Sequence, residues 1–138
     1  MTPAEISALS DDELQKALAE ALRWTKLDPG PEIPGEAFML YGVWPDDHIP
    51  VPRPVPDYPR DPAASAELRR ELWRRRAYHL TIGWSPISVS ISIDCVREGV
   101  RREYDAFVPM SIGADPIVAE CLAVARAALA ALTEGGKC

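Results

Sequence analysis

The residue types that catalyse reactions or bind metals are sparse in this chain, and their densest cluster is Asp46-Asp47-His48. Two carboxylates and an imidazole can bind a metal ion or activate water. Three adjacent residues rarely all reach one ion, however, and the nearest other histidine is His79. A small metal-dependent hydrolase is therefore kept only as a second alternative, and we expect neither a metal nor another cofactor.

The three cysteines, Cys95, Cys121 and Cys138, are widely spaced and form no Cys-x-x-Cys pair. Cys95 and Cys121 fall on apolar faces, where thiols behave as small hydrophobic groups. The spacing indicates neither a disulfide framework nor a zinc site, so we expect reduced thiols in a cytoplasmic protein. The chain also has no Ser-His-Asp order, P-loop or glycine-rich nucleotide motif, and we assign no catalytic residue.

Unusually small side chains occupy the polar positions of two predicted strands. Solvent-facing strand positions usually carry longer side chains, or threonine, because these favour strands or discourage edge pairing. Small ones permit close approach by the chain's own first helix, by a second copy in a homodimer, or by a ligand. We call the polar set the serine ladder and assign it as a candidate binding surface: His79, Thr81, Ser88, Ser90, Ser92 and Asp94.

A predicted helix rich in arginine offers a different binding group. Arg69 and Arg70 could hold a phosphate while Tyr58 or a tryptophan ring holds a base, which would make the protein a sponge for a nucleotide signalling molecule. A solvated helix face is the simpler interpretation of the same arginines. The net charge of −6 argues against nucleic acid as a partner.

The elements that position these residues follow from helix caps and periodicity. Thr2 and Ser10 begin capping boxes, and the pairs Asp61-Pro62 and Asp115-Pro116 each place a cap before a proline. Apolar residues then repeat at helical or alternating spacing. The predicted elements are a helix at 3–26, a proline-rich strap at 28–62, a helix at 62–77, strands at 78–84, 87–96 and 101–108, and a helix at 116–133.

The strap holds ten of the fourteen prolines, so we expect no central strand or helix in it. Its prolines alternate at 50, 52, 54 and 56, a poor match to the P-x-x-P spacing of docking peptides. A stiff, low-entropy connection that fixes the ends of two packed pieces fits better, with a partner-binding loop as the alternative.

This order of elements predicts one domain over residues 1–138, of the α+β class. Short connections make the three strands an antiparallel meander, and helices packed against the sheet give an α-β-α layered sandwich. No apolar run is long enough for a membrane span. The apolar faces are expected to include several large side chains: Leu68, Leu72, Trp73, Trp84, Ile87 and Ile117.

Several segments resemble the phage ABA sandwich domain family of small phage and prophage proteins. The segment YPRDPAASAELRREL at 58–72 is similar to the family's Y-S-x-D-x-A-A-A-W-E-x-x-x-x-L, and AVARAAL at 123–129 is similar to its closing helix. The opening MTPAEISAL also resembles its usual start. The chain departs from the family at Pro59 and Ala66, where serine and tryptophan are usual. The family has no assigned catalytic activity, so the resemblance implies the layered fold and a phage origin rather than a reaction.

These observations favour a non-catalytic protein that acts by binding. The resemblance implies a phage accessory protein, and by analogy with other small acidic binders that phages encode we expect its partner to be a component of host defence. The nucleotide sponge and the metal-dependent hydrolase are the two alternatives.

Overall fold

The computed structural model describes residues 2–31, 33–35, 39–76, 78–111 and 114–133. Four helices and six strands lie within these ranges. In chain order they are α1 Pro3–Ser7, α2 Asp11–Ala21, β1 Thr25–Pro29, β2 Leu40–Val43, β3 Arg53–Pro54, α3 Pro62–Arg76, β4 His79–Ser85, β5 Ser88–Arg97, β6 Val100–Pro109 and α4 Pro116–Thr133.

The six strands form two antiparallel sheets, in the orders β1-β2-β3 and β4-β5-β6. The second sheet is a meander, since its short connections allow only antiparallel neighbours. Its strands begin and end within one residue of the predicted limits. The predicted α+β class, with a three-stranded meander packed against helices, is confirmed.

The last helix, α4, lies at the centre of the molecule. One side packs against β5 and β6, and the opposite side packs against α2 and α3. Among the described residues, α4 is also the one helix that is long and apolar enough to cross a membrane, but half of it is buried inside the protein. Its apolar character is therefore explained by its place in the core. The buried residues are mostly alanine: Ala119, Cys121, Ala123, Val124, Ala125, Ala127, Ala128, Leu129 and Ala131.

The single helix predicted at 3–26 is wrong. Both predicted capping boxes begin helices, but α2 ends at Ala21. Arg23 adopts a left-handed backbone with φ of 70°, and the Trp24 amide donates to the carbonyl of Ala19 while the Arg23 amide donates to that of Glu20. These bonds make a Schellman ending, which normally uses glycine at the left-handed position. Arginine in that position hid the stop signal from the sequence.

The expectation that the strap contains no central strand is also wrong. β2 is the middle strand of the first sheet, and its four residues contain no proline. The prolines of this sheet fall at the end of β1 and in the edge strand β3, where a missing amide hydrogen is tolerated.

Residues 55–60 of the strap are nevertheless anchored to α2. The buried Gln15 side chain donates from Nε2 to the carbonyls of Val55 and Pro56, at 3.1 and 3.3 Å. The Arg60 guanidinium contacts Asp12 at 2.8 Å and Asp57 at 2.9 Å on the exposed side. The structural role proposed for the strap thus has a physical basis at its C-terminal end.

Four large side chains predicted to face inward are exposed. Trp73 lies one position beyond the buried Leu72 on α3, which turns it about 100° away from the core. The other three lie at or next to the ends of their elements, where the core no longer covers both sides. The exposed fractions are 59% for Trp73, 52% for Trp84, 72% for Ile87 and 51% for Ile117.

The cysteines differ from the prediction at one position. Cys95 is buried as expected, but it is disulfide-bonded, so the expectation of reduced thiols is wrong for this residue. Cys121 is free and buried, and burial raises the pKa of its thiol. Cys138 lies outside the described residues.

Candidate functional site

The serine ladder lies on the face of the β4-β5-β6 sheet that points away from α4. Register places Ser90 opposite Gly83 on one side and Phe107 on the other, and Ser92 opposite Thr81 and Asp105. We call this surface the open face. Its side chains come from alternate positions of all three strands: His79, Thr81, Gly83, Ser85, Ser88, Ser90, Ser92, Asp94, Val96, Arg101, Glu103, Asp105, Phe107 and Pro109.

The first helices do not cover this face. α1 and α2 pack against α4, which lies on the other side of the sheet. Thr81, Gly83 and Ser90 are exposed, and Ser88 and Ser92 are half-buried. Of the explanations for the small side chains, contact with the chain's own first helix is therefore excluded.

Hydrogen bonds order the polar groups at the two ends of the open face. Ser92 donates to Glu103 at 2.8 Å, and Arg101 contacts Asp94 at 3.0 Å. At the other end, the hydroxyls of Ser85 and Ser88 are 2.8 Å apart. The middle of the face therefore lies between two ends whose side chains already have partners.

The centre of the open face holds an aromatic residue that the sequence analysis did not select. Phe107 is 61% exposed beside a shallow hollow of about 340 Å³. The hollow is lined by Gly83, Ser90 and Phe107, and the Ser90 Oγ lies so close over Gly83 that a Cβ built on the glycine would be only 2.5 Å from it. The alternation that predicts Ala106 and Val108 to face inward also places Phe107 on the polar face. Phe107 could have been predicted from this alternation.

His79 borders the open face next to the exposed Trp73. Their rings meet edge to face with centroids 5.5 Å apart. All six residues predicted for the serine ladder are thus brought together on one surface. The structure places the three other predicted site residues, Tyr58, Arg69 and Arg70, elsewhere.

A second concave region, the aromatic cleft, lies between α3 and the segments before and after β2. Its volume is about 430 Å³. Its walls come from four separate parts of the chain, which is why the sequence did not reveal it. The lining residues are Leu22, Trp24, Trp44, Arg53, Pro56, Tyr58, Glu67, Leu68, Arg70, Glu71 and Arg74.

Three aromatic rings define the inner part of the cleft. Trp24 and Trp44 pack with centroids 5.2 Å apart at 56°, and the Arg53 guanidinium lies 5.0 Å from the centre of the Trp24 ring. Burial raises the pKa of Tyr58 to about 12, so its hydroxyl stays protonated at neutral pH. The nearby Trp24 indole opposes that rise slightly, although its Nε1 makes no hydrogen bond of good geometry within the described part of the chain.

Most charges around the cleft are paired. Arg53 contacts Asp47 at 3.1 Å, and Arg74 contacts both Glu71 at 2.7 Å and Asp46 at 3.0 Å. The hydrogen bonds that Arg74 donates to Glu71 and to Asp46 raise the pKa of Arg74 further above its ordinary value.

The arginines of α3 therefore divide between two environments. Arg70 lines the cleft and makes no ion pair with any residue in the described ranges. Arg69 instead approaches Glu120 of α4 at 3.5 Å. Of the three residues predicted to bind a nucleotide, Arg70 and Tyr58 lie together in the cleft, and Arg69 lies outside it.

The Asp46-Asp47-His48 cluster does not form a metal site. Its two carboxylates contact Arg74 and Arg53. Across the described ranges, no group of three histidine, cysteine or acidic side chains is arranged to hold a metal ion. The sequence cluster instead supplies partners for arginines at the cleft.

Comparison with known proteins adds no relative. No protein-family model matches the chain, and neither a curated protein nor a solved structure is significantly similar to it. The resemblance to the phage ABA sandwich domain family therefore stays a prediction.

Proposed function

We propose that the protein acts by non-catalytic binding to another protein, and that the open face is its contact surface. The observation that carries the proposal is Phe107, an aromatic side chain 61% exposed at the centre of a sheet face made of small residues. Large apolar side chains at the centre of a flat polar surface are typical anchors of protein interfaces.

The small side chains around Phe107 allow a partner protein to reach its ring. Gly83 and Ser90 share a row with Phe107 and leave the hollow beside it. A partner side chain can fill this hollow while its backbone approaches the sheet. Full burial of a phenylalanine stabilises by roughly 1.5–3 kcal/mol, so covering the exposed part of Phe107 contributes about 1–2 kcal/mol.

The charge of the open face indicates which partner surface fits. Arg101 contacts both Asp94, at 3.0 Å, and Glu103, at 3.9 Å, but its single positive charge does not balance these two carboxylates and Asp105, so this end of the face stays acidic. A partner with basic groups opposite that end gains complementarity and faster association. A neutral, small-residue surface suits the other end, where Ser85 and Ser88 lie.

From the resemblance to phage proteins we infer that the partner is a host protein that acts in defence and that the complex forms in the host cytoplasm. Self-association through the same face is the other form that this contact could take. A disulfide at Cys95 is unusual for a reducing compartment, so the redox state of Cys95 in cells bears directly on the proposed location.

The test compares partner capture by the unmodified protein and two variants. Ser90→Arg puts a long charged side chain in the middle row of the open face, and Ile117→Arg adds the same residue to an exposed position of α4, on the opposite side of the sheet. Both positions are exposed, so both variants should fold. Quantitative mass spectrometry of pull-downs from host lysate should show partners lost with Ser90→Arg and kept with Ile117→Arg.

Sedimentation velocity on the same three proteins measures self-association. A homodimer through the open face would dissociate in Ser90→Arg alone. If Ser90→Arg is folded and keeps every partner and the same sedimentation coefficient as the unmodified protein, the open face is not the contact surface and the proposal is wrong.

A further inference from the structure

The aromatic cleft is separate from the open face, and protein binding through that face leaves it unused. Its volume of about 430 Å³ falls in the range of small-molecule sites. Leu22, Pro56 and Leu68 supply apolar surface, and charged side chains of α3 line the rim. Apolar walls with a few polar groups are the usual composition of a ligand site.

The polar groups of the aromatic walls are already engaged with one another. The Trp24 indole interacts with the Tyr58 hydroxyl, and the Arg53 guanidinium lies 5.0 Å from the centre of the Trp24 ring. Arg53 in turn contacts Asp47 at 3.1 Å. The walls are therefore held in place by the chain itself, and a ligand has to be recognised by other groups at the cleft.

Two charged side chains at the rim have no partner of their own. Glu67 and Arg70 belong to α3, line the cleft and are exposed. Neither makes a hydrogen bond or an ion pair with any residue in the described ranges, although Glu71 and Arg74, one turn further along α3, pair at 2.7 Å. Side chains three positions apart lie on one helix face, with Cβ atoms about 5–6 Å apart. The rim thus presents one free carboxylate beside one free guanidinium.

These two charges favour a ligand that carries both signs. Arg53 and Arg74 are paired with carboxylates and add no free charge. An anion that approaches Arg70 is repelled by Glu67, and a cation that approaches Glu67 is repelled by Arg70. A phosphate monoester carries about two negative charges, which one arginine beside one glutamate does not balance. A zwitterion satisfies both side chains at once.

We propose that the aromatic cleft binds a free α-amino acid with an apolar side chain. The carboxylate of the amino acid binds Arg70, its ammonium group binds Glu67, and its side chain covers the apolar surface that includes Leu68. Both charged groups of an α-amino acid are attached to one carbon, which suits two partners that are neighbours on one helix face. This site lies apart from the open face and goes beyond the proposed protein contact.

Isothermal titration calorimetry of the full chain tests the proposal with L-phenylalanine and L-leucine as probes. N-acetyl-L-phenylalanine lacks the ammonium group and L-phenylalaninamide lacks the carboxylate. We expect each derivative to bind about tenfold more weakly than L-phenylalanine, because one charge-assisted contact is lost. AMP should bind more weakly than either amino acid. The proposal would be overturned if neither amino acid bound with a Kd below about 1 mM, if either derivative bound as tightly as L-phenylalanine, or if AMP bound more tightly.

Two glutamine substitutions assign each charge of the ligand to its partner. Glu67→Gln should weaken L-phenylalanine binding about tenfold without weakening that of N-acetyl-L-phenylalanine, and Arg70→Gln should do so without weakening that of L-phenylalaninamide. Glu98→Gln and Arg102→Gln make the same changes of charge on β6 and in the turn before it, and should alter neither affinity. All four positions are exposed, so the variants should fold. Equal losses in the rim variants and their controls would show that the amino acid responds only to overall charge, and the assignment to the cleft would fail.

Discussion

The attachment of the proline-rich strap to α2 can be tested at a single side chain. Gln15 is 3% exposed and donates from Nε2 to the carbonyls of Val55 and Pro56. Gln15→Ala removes both hydrogen bonds and leaves a small cavity. Two neutral hydrogen bonds contribute about 1–3 kcal/mol together, and the cavity adds roughly 1 kcal/mol.

The unpaired amide oxygen of Gln15 makes the expected destabilisation smaller than the sum of these two costs. Its Oε1 is buried and accepts no hydrogen bond within the described part of the chain, so removing it relieves a desolvation cost. We therefore expect Gln15→Ala to lower the free energy of unfolding by about 2 kcal/mol, out of the roughly 5–15 kcal/mol typical of a native protein.

Urea unfolding followed by circular dichroism measures the change, with Arg60→Gln as the control on the exposed side of the strap. Arg60 has two ion pairs, but its side chain is 38% exposed, so its loss should cost less than about 1 kcal/mol. The view that buried hydrogen bonds hold the strap would be refuted if Gln15→Ala lowered the free energy of unfolding by less than about 0.5 kcal/mol, or if Arg60→Gln lowered it by more than Gln15→Ala does.

Two further predictions concern the pKa of Tyr58 and the reactivity of the cysteines. Burial raises the pKa of Tyr58 from about 10 in the unfolded chain to about 12. The contribution of this shift to stability should therefore be complete below pH 10 and be lost as the pH rises to 12. Tyr58→Phe should flatten the decline of the free energy of unfolding over this pH range, and an unchanged decline would contradict the prediction. Without reductant, a thiol reagent should label Cys121 only after unfolding and Cys95 not at all; peptide mapping that finds labelled Cys95 would show that the disulfide is absent.

The second half of the chain could be predicted well because its signals are local. Asp61 and Asp115 cap their helices through side-chain oxygens 3.0 and 2.9 Å from backbone amides, as the cap-then-proline pattern indicates. The alternation in β4 to β6 spans enough residues to fix both the strands and their faces. The serine ladder followed from the same alternation.

The first half was predicted less well because its structure depends on contacts distant in sequence. β2 is only four residues long and is flanked by prolines, so neither its length nor its surroundings indicate a central strand. The aromatic cleft brings Trp24, Trp44 and Tyr58 together only because α2 ends at Ala21 and the left-handed Arg23 then turns the chain. Two features of the second half also escaped prediction, because neither the disulfide at Cys95 nor the exposure of Trp73 follows from a pattern of single residues.

The central claim, that the open face is a contact surface, is tested most directly by hydroxyl-radical footprinting of Phe107. The rate of Phe107 oxidation is compared between the purified protein at low concentration and the protein in host lysate. Trp84 is similarly exposed on the other face of the sheet and serves as the internal control for radical scavenging by the lysate. We expect the rate of Phe107 oxidation, relative to that of Trp84, to fall in lysate. Equal oxidation of Phe107 in the two samples would contradict the claim and leave the open face a sheet surface that faces water.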